Sequence, residues 1–122
     1  MDIVRSTDEA YCEDLSDQLE AQWPTPRSSA KKRILMALYE IGSVRYVVFE
    51  KGEVVGVAAI KQRWSRMHIM QFGSVLSGVG RRLYNKIKNH RLETVATNFS
   101  KGFWKKMGMF PKPGSYHNVF IN

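Results

Sequence analysis

The chain has 122 residues, a single cysteine and a formal net charge of +8. One domain spanning 1–122 is expected, large enough to bury a core without staples; a lone cysteine excludes an intramolecular disulfide or a thiolate zinc cluster, and no metal site is expected. The N-terminus "MDIVRSTDEAYCEDLSD" has no apolar run of signal-peptide type and no segment approaches a membrane span, so a soluble, cytoplasmic protein with no membrane partner is expected.

"MDIVRS" reads as a first strand. Ser6, with Glu9 three residues later, has the capping-box pattern, and Tyr11, Leu15 and Leu19 recur every fourth residue, which predicts a helix over 7–22. Cys12 is expected as a small buried residue on that helix. The prolines of "WPTPRSS" stop it. Ser28 or Ser29 then caps a second helix with Ile34, Leu35, Leu38 and Ile41 as its apolar stripe and Gly42 as its close. "VRYVVFE" and "VVGVAAIK", joined by "KGE", read as a hairpin, and "MHIMQFGSV" is a third strand-like run. Residues 79–89 are helical, with Val79, Leu83 and Ile87 on one face and Arg81, Arg82, Lys86 and Lys88 elsewhere. "LETVAT" is a strand, "FSKGFWKKMG" a short helix and "YHNVFIN" a terminal strand. The order β-α-α-β-β-β-α-β-α-β implies an α/β fold on a mixed central sheet.

The charge is uneven. Residues 1–30 carry seven acids against Arg5 and Arg27, whereas the remainder carries 17 bases against four acids. Such a field favours polyanionic partners. "KQRWSRMH" interleaves Lys61, Arg63 and Arg66 with Trp64, a mixture suited to phosphate contact and base stacking in a nucleic-acid partner; the plainer reading is a solvated hairpin end with one packed tryptophan. "KKR" at 31–33, Lys105 with Lys106, and the acidic first helix read as solvated faces.

"SGVGRRLYNKIKNHR" runs two glycines into a basic amphipathic helix. Gly78 and Gly80 allow main-chain amides to approach an anion, and the following helix N-terminus adds unsatisfied amides and its dipole. Neither a dinucleotide fingerprint nor a P-loop is present.

Together these segments resemble the GCN5-related N-acetyltransferase (GNAT) superfamily. "VLSGVG" is similar to its Q/R-x-x-G-x-G/A acyl-CoA loop, with Val75 in place of the Gln or Arg; "RRLYNKIK" matches the next helix. Asn98, Phe103, Trp104 and "KKMGMF" resemble the late signature of a strand-ending asparagine and an aromatic-rich helix. The resemblance implies an acetyl-CoA or other acyl-CoA cofactor between splayed strands near residues 67–73 and 92–97. Ser77, Gly78, Val79, Gly80, Arg81 and Arg82 would hold the diphosphate, Met70, Gln71, Phe72 and Asn98 the pantetheine arm, and Phe103 would pack beside it. Many relatives place an acidic tyrosine where Trp104 stands, and indole has no titratable proton; Tyr116, Tyr84 or water would have to protonate the leaving thiolate. An alkyl ammonium, with a pKa of about 10, must also lose a proton before it attacks a thioester. His68 on the implied cofactor strand is the first candidate base, with Glu50 and Glu53 next, and a strand amide would stabilise the oxyanion.

The implied function is acyl-CoA-dependent N-acyltransfer to an amine, carried on nucleic acid in the reading that also uses the surplus charge. A short basic chain with eroded signatures resembles phage DNA-modifying members of the superfamily, which would act in a host cytoplasm. The alternatives are a catalytically inactive nucleic-acid-binding or interaction module, favoured by Trp104 and Val75, and an acetyltransferase of small amines or protein lysines. The acceptor and the oligomeric state stay open at this point.

Overall fold

The computed structural model describes residues 1–25, 28–115 and 118–122. Its elements run β1 (Asp2–Ser6), α1 (Glu9–Gln22), α2 (Ser29–Leu38), β2 (Val44–Glu50), β3 (Glu53–Arg63), β4 (Arg66–Ser74), α3 (Val79–Ile87), β5 (Leu92–Val95), α4 (Lys101–Lys106), β6 (Phe110–Pro111) and β7 (Val119–Ile121). The strands form one sheet in the order β1-β2-β3-β4-β5-β7-β6. Every neighbouring pair is antiparallel except β4 with β5. The two-residue strand β6 is additional to the expected order. It is short enough to lack any period-2 signal.

The expected capping box does not form. Ser6 stays in β1, paired with Arg45, and its Oγ accepts from Asp8 N. Asp8 instead caps α1, its Oδ1 accepting from Tyr11 N. Glu9 is drawn elsewhere: both carboxylate oxygens accept from the guanidinium of Arg45, at 2.9 and 2.6 Å, and one also accepts from Gly42 N. Arg45 is fully buried and also donates to the carbonyls of Ser43 and Leu38, so one cation ties α1 and the end of α2 to β2. Such a charge is tolerated inside because both terminal nitrogens are doubly occupied, although Nε is buried without a partner.

The second helix also ends earlier than its stripe suggested. Ser28 Oγ caps it by accepting from Lys31 N, Ile34, Ala37 and Leu38 are its buried residues, and the turn closed by Ser43 N to Glu40 O leaves Ile41 exposed.

Two cores flank the sheet. Cys12, Leu19, Ile34, Ala37 and Leu38 pack on Val47, Val57 and Ala59 on one face. On the other, Val79, Leu83, Tyr84, Ile87 and Trp104 meet Val48, Val55, Ala58 and Ile60. Gly73 lets α2 lie close on β4: an added Cβ would sit 2.9 Å from Ala30 O and 2.9 Å from Arg33 Cβ. No helix of the described residues is long and apolar enough to cross a membrane.

Candidate active site

The sheet opens at its one parallel junction. β4 and β5 pair only through Met67 with Leu92 and His68 with Glu93. Beyond these pairs β4 continues to Ser74 while β5 ends at Val95. A register shift between Ala59 and Ile60 leaves Met70 as the extra residue of β4, and such a bulge bends its strand. Across the gap, Ala96 N donates to Asn118 O at 2.6 Å, holding the chain after β5 toward the β7 side. The edge of β4 after His68 therefore faces a cleft without a strand partner.

Two adjoining cavities of about 450 and 350 Å³ occupy that gap. They share Arg33, Phe72, Thr97, Ser100 and Trp104 as lining. Met70 and Gln71 line the inner one, while Gly73, Ser74, Gly80 and Phe103 line the outer. Phe72, Phe103 and Trp104 form the apolar wall, with ring centroids 4.9 to 5.4 Å apart. Edge contacts of this kind fix the rings in place.

The glycine loop borders the outer cavity. Gly78, at φ +85°, is the residue before α3, in a conformation that favours glycine. No backbone carbonyl of the described residues accepts from the amides of Ser77, Gly78, Gly80 or Arg81. These donors gather at the positive end of a helix dipole, which is the arrangement an anion needs. Gly80 has a separate reason to be glycine: a Cβ there would lie 3.0 Å from Phe103 Cε1.

A third cavity, of about 390 Å³, lies at the other end, where the strands part; His68, Glu93, Val95 and Lys112 are in its lining, and Val95 also lines the inner cleft. His68 Nε2 is 2.7 Å from Glu93 Oε2, and Lys112 Nζ is 2.6 Å from Glu93 Oε1. Lys112 beside it holds the Glu93 carboxyl below its ordinary range; burial pulls the other way, and the charge of His68 adds to the lowering. The Glu93 carboxylate accepts from Nε2–H of His68, so that in the neutral ring Nδ1 is the nitrogen carrying the lone pair.

The other candidates fall in different places. Asn98 is exposed and lines none of these cavities; Thr97 and Ser100 border the cleft instead, locked to each other by reciprocal amide-to-hydroxyl bonds of 2.9 and 3.2 Å. Tyr84 is buried against Trp104 and lines none of them, and burial pushes its phenol up. Glu50 faces the N-terminal amine, and Glu53 opens β3, eight residues from Lys61, the partner of His68, or roughly 26 Å of strand. Tyr116 lies outside the described residues. Arg81 and Arg82 are exposed in the first turn of α3, while Val79 is buried in the core. Lys61, Arg63, Trp64 and Arg66 surround the β3–β4 turn, beyond His68; Trp64 is 97% exposed, so it is not the packed tryptophan of the plainer expectation.

Sequence reasoning missed three residues here. Arg33, read as part of a solvated "KKR" face, lines both cleft cavities. Glu93 and Lys112 sit 25 and 44 positions after His68, with no local spacing to join them; only the pairing of β4, β5 and β7 brings them together.

No family model matches the chain, and no curated sequence does. Solved structures do. The Tetrahymena GCN5 crystal structure superposes with a TM-score of 0.64 at 19% identity, covering 99% of this chain and 94% of that one. The Bacillus subtilis N-acetyltransferase YlbP protein in complex with coenzyme A gives 0.66 at 14%, covering 99% and 95%. A predicted acetyltransferase with acetyl-CoA from Clostridium acetobutylicum gives 0.55 at 16%, covering 95% and 94%. The chain has the GNAT fold, a mixed α/β architecture on a seven-stranded, mostly antiparallel sheet.

Proposed function

We propose that the chain is an acyl-CoA-dependent N-acyltransferase whose cofactor lies in the β4–β5 cleft and whose amine acceptor enters beside His68. The observation that carries this is a set of cavities at the β4–β5 parting, each sharing lining residues with the next, with the free amides of the glycine loop beside the outer one at Gly80 and a His–carboxylate pair lining the third. Similar folds hold coenzyme A and acetyl-CoA in the Bacillus and Clostridium structures.

The residues present fit such a group. The amides of Ser77, Gly78, Gly80 and Arg81 suit the diphosphate, with space around Gly78, where an added Cβ would meet nothing within 4 Å. The unpaired edge of β4 at Met70, Gln71 and Phe72 offers peptide groups to the amide-bearing arm, and the Phe72–Phe103–Trp104 wall covers its apolar stretches. The bound thioester supplies an activated acyl carbon. The acceptor must arrive there as a neutral amine, so His68 Nδ1 takes its proton while Glu93, held by Lys112, steadies the resulting imidazolium. A main-chain amide of β4 near its bulge at Met70 is the donor that suits the oxyanion. Trp104 cannot protonate a thiolate. Arg33, a cation bordering both cleft cavities, instead lowers the cost of negative charge on the leaving sulfur.

Calorimetry with acetyl-CoA and a thiol-release assay over a panel of amines test the reading. Binding is expected, with release that depends on acceptor. His68→Ala should slow release while sparing cofactor affinity. Absence of CoA binding to the folded chain would overturn the proposal. Binding without release from any acceptor leaves the inactive module, the reading that Trp104 favours.

A further inference from the structure

The β3–β4 hairpin carries a tryptophan that folding does not explain. Trp64 is 97% exposed and takes φ +55° at the first central position of the two-residue turn joining Arg63 to Arg66. Glycine is the usual occupant of such a position, and an indole in water adds nothing to the core. The turn is nonetheless held firmly, because Gln62 Nε2 donates to the carbonyls of Trp64 and Arg66 at 2.9 and 3.3 Å. The ring therefore stands on a braced tip.

Cations surround it. The register Lys61 to His68 and Arg63 to Arg66, with side chains alternating along each strand, puts these four residues on one face of the hairpin. Met67 N donates to Arg91 O at 2.6 Å, bringing the α3–β5 connection alongside and with it Lys88 and Arg91. Neither 60–67 nor 86–92 contains an acid; Glu93, next in sequence, is bound by His68 and Lys112, and Arg66 Nη1 donates to Leu92 O at 3.1 Å, which leaves its other nitrogens to a phosphate. This surface lies toward the C-terminal end of α3, about 13 Å of helix from the glycine loop, so the diphosphate cradle does not use it.

We infer that this end of the molecule binds single-stranded nucleic acid, with Arg63, Arg66 and Arg91 on successive phosphates and one unpaired base stacked on Trp64. An acidic peptide offers the charge but no flat ring for the indole. A membrane would favour apolar neighbours, whereas those at the tip are Gln62, Arg63, Ser65 and Arg66. A base paired within a duplex keeps its face covered. The inference rests on the proposed function in one respect only: His68 lies two residues from Arg66 on the same face, about 7 Å along the strand, so a base amine next to the stacked one would reach the acceptor end of the cleft.

Fluorescence anisotropy with a labelled oligothymidylate tests it, since thymine has no exocyclic amine and binding is read apart from turnover. Engagement of about three phosphates gives a slope near −2 in log affinity against log salt, a fall of roughly twentyfold between about 50 and 200 mM. Trp64→Gly, which suits the positive φ, should weaken binding about tenfold with the slope kept. Arg63→Gln should flatten the slope by about 0.7. No binding at low salt overturns the inference, as does affinity indifferent to Trp64→Gly. Tighter binding to duplex, polyglutamate or phosphatidylserine vesicles than to the single strand assigns the surface to another partner and also overturns it. Calorimetry with CoA alone reports the cleft separately, so either reading can fail while the other stands.

Discussion

Ser77→Glu is the cleanest probe of the anion cradle. Ser77 is exposed, and its amide is among those with no backbone acceptor, so the change adds charge without crowding the core. Gly80→Asp, the more obvious choice, is confounded, because its Cβ would push on Phe103 at 3.0 Å. A carboxylate about 5 Å from a phosphate charge costs about 0.8 kcal/mol at the dielectric of water and about 3.3 kcal/mol at the effective value of ~20 near a protein surface. The affinity for CoA should therefore fall between about fourfold and about two-hundredfold. The loss should shrink at high salt, since the site opens to solvent. Titration calorimetry reads this directly, with pantetheine as the control ligand because it lacks the diphosphate. Equal losses for CoA and pantetheine, or no loss for either, would refute the assignment of these amides to phosphate.

Gly73→Ala should cost about 1–3 kcal/mol, because its Cβ meets main chain of α2 at 2.9 Å and the helix must lift from the sheet; an unchanged urea midpoint would contradict this. Hydrogen bonds from Arg45 and then from Gly42 N hold the Glu9 carboxyl at about 2, down from an ordinary 4.5. A depressed carboxyl stabilises the fold fully above its unfolded value and loses that contribution as pH falls toward the folded one. Urea midpoints should therefore drop between pH 4.5 and about 2, and Glu9→Gln should flatten that segment of the profile. Lys112→Met removes the largest of the cationic influences on Glu93 and should slow thiol release with CoA affinity intact; rates equal to the parent's across pH would remove Lys112 as a positioning residue.

Periodicity was the strongest signal in the sequence, and it located the long elements. The every-fourth-residue spacing of Val79, Leu83 and Ile87 and the β-branched runs of β2 and β3 are local patterns, and the elements they imply are present. Local patterns failed where a distant partner outbid them. Glu9 left its capping box for Arg45, 36 positions away, because a fully buried guanidinium gains more from a carboxylate than an exposed helix start does. Val75 stands where a family glutamine or arginine was expected. In this chain it packs against both cores, and its amide donates to Val55 O at 2.9 Å, so that position serves the sheet. The glycine loop was legible because main-chain geometry leaves its mark on residue type. The His68–Glu93–Lys112 cluster was not, because strand pairing assembles it from three separate segments.

The nine residues of α3 separate the two anion sites proposed above, which are built by different means. At the N-terminus the attraction comes from the main chain, and the exposed Arg81 and Arg82 stand there against the preference of the helix dipole. At the C-terminus it comes from Lys86, Lys88 and Arg91, which also complement the negative end of that dipole. The helix spans about 13 Å, longer than the ~8 Å screening length at physiological salt. A diphosphate at one end and a polynucleotide at the other would therefore repel each other only weakly across solvent. On this reading the cleft and the third cavity, which share Val95 as lining, hold the donor and the acceptor end, with His68 on the polynucleotide side, so an acyl donor and a charged acceptor would occupy the protein together without either having to leave first.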